Sequence, residues 1–266
     1  CSETCVGRLR YLGLVLYDAD RVAEAATEPD ETKLMAAQKS ILLDPRDPEV
    51  LAEARRSGIP EDWLEAAQNS PVYDLACRYD VALPLHPEYR TLPMVWYIPP
   101  LSPVVDALTE TGHDGEDIGN LFGAIDAMRI PIEYLAELFT AGDIDPVNDV
   151  LRKLAAMRSH MRTVNLGEAV DPSIAEAVGM TIAEMESMYR LLAIAKYEDR
   201  YVIPSAHTEV ANAMLEEKPG CSVDVTSTNG DSSVGEAKPV PVTIESFQLT
   251  KQRLEAEQYS DLDHKQ

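Results

Sequence analysis

Between residues 81 and 103 the chain places six prolines: Pro84, Pro87, Pro93, Pro99, Pro100 and Pro103. Each removes a backbone N–H and fixes φ at about −65°, so no continuous helix can cross the segment and sheet pairing is limited. The same stretch carries Leu83, Leu85, Tyr89, Leu92, Met94, Val95, Trp96, Tyr97, Ile98 and Leu101. That is too apolar for a solvated linker. The segment is expected to run extended and packed, either against its own domain or into a contact with a partner subunit. Composition alone leaves both open.

The text on either side is helical. Asp30, Asp47 and Ser70 suit N-caps, the last two followed by Pro at the first helical position. Ile59-Pro60-Glu61-Asp62 starts another helix, with acids in its first turn and an apolar edge at Trp63, Leu64 and Ala67. A helix and a Gly- and Asp-rich loop, Gly112 to Gly119, fill residues 104 to 128. Pro131 opens a helix ending near Gly142, and Asp145-Pro146 opens the next. There Val147, Val150, Leu151, Leu154, Met157 and Met161 follow 3.6-residue spacing. Asp171-Pro172 opens a short third helix. Thr181 to Glu184 is a capping box for a fourth, with Met185, Met188, Tyr189 and Leu192 on one face. Methionines at this spacing read as core. After residue 216, Gly, Ser, Thr, Asp and Pro dominate, which predicts a disordered tail with one weak helix between Gln248 and Gln258. The fold class expected is mainly α with irregular proline-rich segments.

Charge narrows the partners. The formal net charge is −23 over 266 residues, which argues against nucleic acid and against polybasic attachment to anionic lipid. No apolar run approaches the roughly 20 residues that a membrane-spanning helix requires. Leu12 to Tyr17 is the purest candidate and is far too short. Four cysteines, Cys1, Cys5, Cys77 and Cys221, are too few and too scattered for a secreted disulfide framework, so a reducing setting fits better.

The chemistry concentrates at the start. Cys1-Ser2-Glu3-Thr4-Cys5-Val6-Gly7-Arg8 contains a C-x3-C step, which reads as the end of a motif begun upstream. Bacterial ferredoxin motifs close this way, the last Cys ligating the other cluster of a pair. Incidental or structural cysteines, or a zinc-binding thiol pair, remain alternatives, because in a helix this spacing merely puts both thiols on one face. Gly7 and Gly13 permit close backbone packing around an inserted group, or simply a short strand entering a core. Arg8 and Arg10 could place positive charge near cluster sulfurs; surface salt bridges are the plainer reading. Cys77 reads as a small hydrophobe on a helix, and Cys221 has no assigned role. The five histidines, His86, His113, His160, His207 and His264, form no ligand spacing. Glu198, Asp199 and Arg200 could pair with one another or with a neighbour. Nucleotide-binding and nucleophile-elbow motifs are absent from the sequence, so it shows no independent active site.

The stretch CSETCVGRLRYLGLVLYDADRV resembles the end of the ferredoxin-type region in the beta subunit of membrane-bound respiratory nitrate reductase. The likeness continues through NSPVYDLACRYDVALPLHPEYRTLPMVWYIPPLSP, RIPIEYLAELFTAGD, MYRLLAIAKYEDRYVIP and His207, in family order. The resemblance implies the end of a ferredoxin-like iron–sulfur (α+β) domain over residues 1–17 and a helical and extended proline-rich docking region over 18–128. A helical C-terminal domain over 129–215 and a tail over 216–266 would follow. It implies that Cys1 and Cys5 each ligate a different 4Fe-4S cluster; the family's 3Fe-4S cluster would have its ligands outside this chain. Val6 stands where bacterial ferredoxins usually have Pro, in agreement with the nitrate reductase form. The implied role is electron relay from a quinol-oxidising, haem-bearing membrane gamma subunit to a molybdenum-containing catalytic alpha subunit that reduces nitrate to nitrite. The subunit would lie at the cytoplasmic face of the membrane, peripheral through its complex. A docking or assembly module without redox activity is the alternative, because two thiolates cannot hold a four-ligand cluster by themselves.

Overall fold

The computed structural model describes residues 8–93, 95–111, 118–202 and 204. By internal contacts the chain divides into Cys1–Glu217 and Lys218–Gln266. The second unit, and with it Cys221 and the expected tail and weak helix, lies outside the described residues, as do His113 and His207.

Eleven α-helices are described, most of them short. The first four are α1 (Val22–Ala26), α2 (Leu34–Ser40), α3 (Pro48–Arg56) and α4 (Glu61–Asn69). After the proline segment come α5 (Ser102–Thr111), α6 (Ile118–Asp126), α7 (Ile132–Phe139) and α8 (Ile144–Leu166). Then follow α9 (Ser173–Glu176), α10 (Ile182–Tyr189) and α11 (Tyr197–Arg200). The strands are β1 (Arg10–Gly13), β2 (Leu16–Tyr17), β3 (Leu42–Leu43), β4 (Val95–Tyr97) and β5 (Tyr201–Val202). The described residues are thus mainly helical, as expected.

Caps set the helix boundaries. Asp47 accepts from the Glu49 amide with Pro48 behind it, and Asp30 caps the turn that leads into α2. The Ser70 hydroxyl accepts from the Val72 amide at 3.3 Å. Thr181 and Glu184 form both halves of the capping box of α10. One start differs from expectation. The cap of α8 is Asp143, not Asp145, and it accepts from the Asp145 amide at 3.1 Å. Pro146 then falls in the first turn, where a missing N–H costs no intrahelical bond. Gly167 closes α8 at φ 72°, a left-handed cap that favours glycine.

The proline segment turns inward. Val95–Tyr97, the three residues of β4, pair antiparallel with β1, Tyr11 opposite Trp96. Leu83 exchanges two backbone hydrogen bonds with Tyr97 at 2.8 Å each, and the His86 amide donates to the Leu138 carbonyl at 2.7 Å. Backbone demand that a helix would meet locally is met here by partners far away in sequence. The three-stranded order is β4-β1-β5, with β5 parallel to β1.

Tyr11, Val81, Leu83, Trp96 and Ile98 therefore enter one buried cluster with Ile125, Leu151, Met185 and Met188. Trp96 is 1% exposed. An aromatic of this size buries about 150–250 Å², which at about 25 cal/mol per Å² stabilises by roughly 4–6 kcal/mol. Of the two destinations open to this segment, its apolar centre takes the internal one. Trp96 is core. What stays outside is Leu85 and Tyr89, the latter 70% exposed. A smaller cluster, Leu16, Ala54, Leu64 and Ala67, seals β2 against α3 and α4.

Candidate functional site

Cys1 and Cys5 lie outside the described residues, so the site is built from what receives the chain after them. Arg8, at φ 53°, donates through Nη1 to the carbonyls of Ala193 and Ala195, each at 2.8 Å. Those carbonyls belong to the end of a π-turn, Arg190–Ile194, that extends α10. A helix C-terminus leaves carbonyls unpaired and partly negative, which suits a guanidinium. Next, the Leu9 carbonyl accepts from the Ile98 amide at 2.8 Å, and β1 begins. The Arg10 guanidinium stands 6.0 Å from the centre of the Tyr97 ring. The two arginines considered for cluster tuning or salt bridging thus make other bonds: Arg8 ties the entry to β1 to the end of the π-turn after α10, and Arg10 covers an aromatic face.

Gly13 ends β1 in a tight place. A Cβ there would come within 2.3 Å of Ser70 Oγ and 3.4 Å of Val72 Cγ2. The close approach expected of this glycine is real, and among the described residues it serves packing against Ser70.

On the other edge, β5 lies parallel beside β1, with Leu12 opposite Tyr201 and Gly13 opposite Val202. The helix before it, α11, packs against β1. The last residue of α11 is Arg200. It is 9% exposed, yet its Nε and Nη1 are buried without any hydrogen-bond partner. The acids beside it do not pair with it: Asp199 accepts from the Lys196 amide at 2.9 Å, and Glu198 lies 3.4 Å from Lys196 Nζ. Around this end Ile194 is 61% exposed, and the Tyr197 ring stacks on Tyr201 at 5.5 Å. Sequence reading singled out Arg200 only as a possible ion-pair partner. Its burial follows from a strand pairing between residues about 190 apart in sequence, for which local pattern carries no signal.

The remaining chemical side chains sit elsewhere. Cys77 is half-buried, its Sγ 4.0 Å from the Lys39 carbonyl. Burial pushes its thiol up to about 11, so at neutral pH it is a thiol and not the thiolate that ligates metals. This agrees with its reading as a small hydrophobe. Burial likewise lowers the Lys39 ammonium from its ordinary value, although Asp80 pairs with it. His86 sits at φ 52° with Nδ1 2.7 Å from Glu88 Oε1. His160, one of the histidines without ligand spacing in the sequence, is 1% exposed, with Nε2 3.6 Å from Glu186 Oε1. Among the described residues, no group of three or more His, Cys, Asp or Glu side chains is placed to hold a metal ion. Within the same residues no helix is long and apolar enough to cross a membrane.

Comparison with known proteins supports the resemblance carried by these segments. Residues 101–182 match the family described as respiratory nitrate reductase beta C-terminal. The nitrate reductase beta chain of Bacillus subtilis (strain 168) is 52% identical over 232 residues, 86% of this chain and 47% of the relative. The respiratory nitrate reductase 2 beta chain of Escherichia coli (strain K12) is 50% identical over 221 residues, 83% of this chain and 43% of the relative. The respiratory nitrate reductase beta chain of Bradyrhizobium sp is 40% identical over 208 residues, 78% and 60% of the two. The chain spans about half the length of these relatives.

Proposed function

We infer that this chain, which belongs to the respiratory nitrate reductase beta family, acts as part of an electron-transfer subunit of that enzyme. The observation that carries the reading is the identity of about half its residues to nitrate reductase beta chains, together with the C-x3-C step at Cys1 and Cys5. A non-redox docking module is not favoured, since the relatives are named as beta chains of the reductase itself.

Residues 1–17 are proposed as the end of a ferredoxin-like iron–sulfur region, and residues 129 to about 215 as its C-terminal companion domain. Cys1 and Cys5 would each give a thiolate to a different 4Fe-4S cluster, with all other ligands, including those of a 3Fe-4S cluster, outside this chain. Such a cluster supplies reversible one-electron transfer when bound. Among the described residues, the buried Arg200 guanidinium has two nitrogens without an acceptor. The work of this chain's own residues is to hold and shield. Arg8 fixes the segment leaving Cys5 to the Ala193 and Ala195 carbonyls. β1, clamped between β4 and β5, makes that anchor continuous with the helical core.

The partners proposed are a molybdenum-containing catalytic alpha subunit and a haem-bearing membrane gamma subunit, with electrons passing from quinol towards nitrate. The location proposed is the cytoplasmic face of the membrane, through that complex. Exposed Leu85 and Tyr89, at the outer side of the proline segment, are the residues proposed for a subunit contact.

The test is to replace Cys1 and Cys5 singly by Ala in the full-length subunit and count iron and acid-labile sulfide, with electron paramagnetic resonance on the reduced protein. Each change should cost or convert one cluster, while Cys77→Ala and Cys221→Ala leave the count intact. Unchanged cluster content in both would sink the assignment.

A further inference from the structure

Residues 85–90 make a turn that is tightly held on its inner side and apolar on its outer one. His86 and Arg90 bracket a single 3-10 turn, Pro87–Tyr89, and both are left-handed, at φ 52° and 56°. Residues other than glycine reach that region at a cost in backbone strain, and keep it only where the surroundings over-determine them. Here the surroundings do. The His86 amide donates to the Leu138 carbonyl at 2.7 Å, and Gln38 Nε2 donates to the Pro87 carbonyl at 3.1 Å. Arg90 Nη1 donates to the carbonyls of Ala26 and Glu28, at 2.9 and 2.6 Å, and His86 Nδ1 lies 2.7 Å from Glu88 Oε1. Bonds from α1, α2 and α7 thus pin one short turn.

The outward side chains take no part in this fixing. Leu85 is 41% exposed and Tyr89 70%, the Tyr89 ring 5.2 Å from that of His86. An aromatic presented on a rigid turn loses little freedom when it is covered, and such anchors dominate interface energies. Backbone strain kept beneath residues that stay in water serves a contact made after folding.

Charge and area say what covers it. Glu88 belongs to the turn, and Glu133 and Glu137 are exposed on α7, the helix that receives the His86 amide. These carboxylates oppose an anionic lipid surface. A second copy would bring the same carboxylates, in a chain of formal charge −23. Leu85 and Tyr89 together offer roughly 200 Å², against about 800 Å² per partner in a stable interface. The turn therefore fits one anchor of a wider contact with a different protein surface, one that is basic around an apolar pocket.

We propose that residues 85–90 are a preformed anchor for the catalytic alpha subunit, Tyr89 entering an apolar pocket bordered by lysine or arginine side chains. The inference rests on the functional reading above and deepens its subunit contact. Of the two partners named there, the membrane subunit would bring these carboxylates towards anionic headgroups, which disfavours it.

The experiment measures the dissociation constant and association rate of the full-length subunit for the alpha subunit. Tyr89→Ala should raise the constant by about thirtyfold or more and leave the melting temperature of the full-length subunit unchanged. Tyr89→Phe should stay near the parent, since an apolar pocket needs the ring. Glu133→Lys with Glu137→Lys should slow association about tenfold at low salt, and by less at high salt. An unchanged constant in Tyr89→Ala and Leu85→Ala alike overturns the proposal. So does a Tyr89→Ala variant that binds alpha normally but loses binding to phosphatidylserine vesicles, to the gamma subunit or to itself. The cysteine replacements separate the two levels: if they cost clusters while Tyr89→Ala leaves the constant unmoved, only this docking inference fails.

Discussion

The proline segment and helix α8 solve the same problem in opposite ways. In α8, each backbone amide beyond the first turn finds its acceptor four residues back, so the helix needs neighbours only for its apolar face. Val147, Val150, Leu151 and Leu154 supply that face and are buried. Residues 81–103 have no such ladder. Beyond short local turns, Leu83 pairs with Tyr97 inside the segment, His86 and Ile98 reach out to Leu138 and Leu9, and Trp96 reaches the core only because β4 finds β1. Helical burial here is local and repeatable. Burial of the proline segment is a single tertiary event involving distant residues, and it should fail as a unit.

Trp96→Ala puts the greatest strain on that contrast. Loss of a fully buried tryptophan should cost about 3–5 kcal/mol in urea unfolding of the chain, read as a lower midpoint. A loss below about 1 kcal/mol, with copurification of partner subunits abolished, would restore the interface reading for this side chain. Leu151→Ala, its counterpart on α8 and 0% exposed, should cost about 2–5 kcal/mol. The two should differ in kind: amide exchange should quicken across Arg10–Gly13 and Val95–Tyr97 in the first, and along α7 and α8 in the second.

Gly13→Ala tests the junction of the two regions. The new methyl would overlap Ser70 Oγ, and such overpacking costs about 1–3 kcal/mol. Removing the hydroxymethyl group in Gly13→Ala/Ser70→Gly should recover part of the loss. No recovery would mean that the backbone, not Ser70, sets the requirement. Smaller again is Thr181→Ala, which removes a capping box in the helical region for about 1 kcal/mol and should leave exchange at β1 and β4 unchanged.

The last prediction concerns reactivity. The Cys77 thiol is raised to about 11 by burial. A thiol raised in the fold favours the neutral form. Its contribution to stability is therefore complete below the unfolded thiol value of about 8.5 and lost as pH rises towards 11. Alkylation by iodoacetamide should stay slow at pH 8 in the native chain and become fast in urea. Rapid native alkylation at pH 8 would show a thiolate and contradict the reading of Cys77 as a small hydrophobe.

Much of the helical half was legible in order: the caps at Asp47 and Thr181, the buried spacing of α8 and the methionine core of α10 all follow from local rules. The cap of α8 was misplaced by two residues, because both Asp143 and Asp145 satisfy the local pattern and only the backbone path chooses between them. For the candidate site, sequence pointed to Cys1 and Cys5, to the family, and to close backbone packing at Gly13. It did not reveal the Arg8 bonds to Ala193 and Ala195, the buried Arg200, or His160 against Glu186, each of which joins residues from distant parts of the chain.

What the sequence determined by itself was therefore whatever repeats within a few residues: helix starts, apolar faces, the prohibition of helix through six prolines, and a thiol pair with its family likeness. Tertiary structure decided where unrepeated groups go. Trp96 lies inside and Tyr89 outside, though both are aromatics of the same segment, because only Trp96 stands on the strand that β1 can pair. Arg200 is buried because β5 runs parallel to β1. Periodicity constrains one dimension of a chain, whereas a strand pairing between residues 12 and 201 is a fact about three.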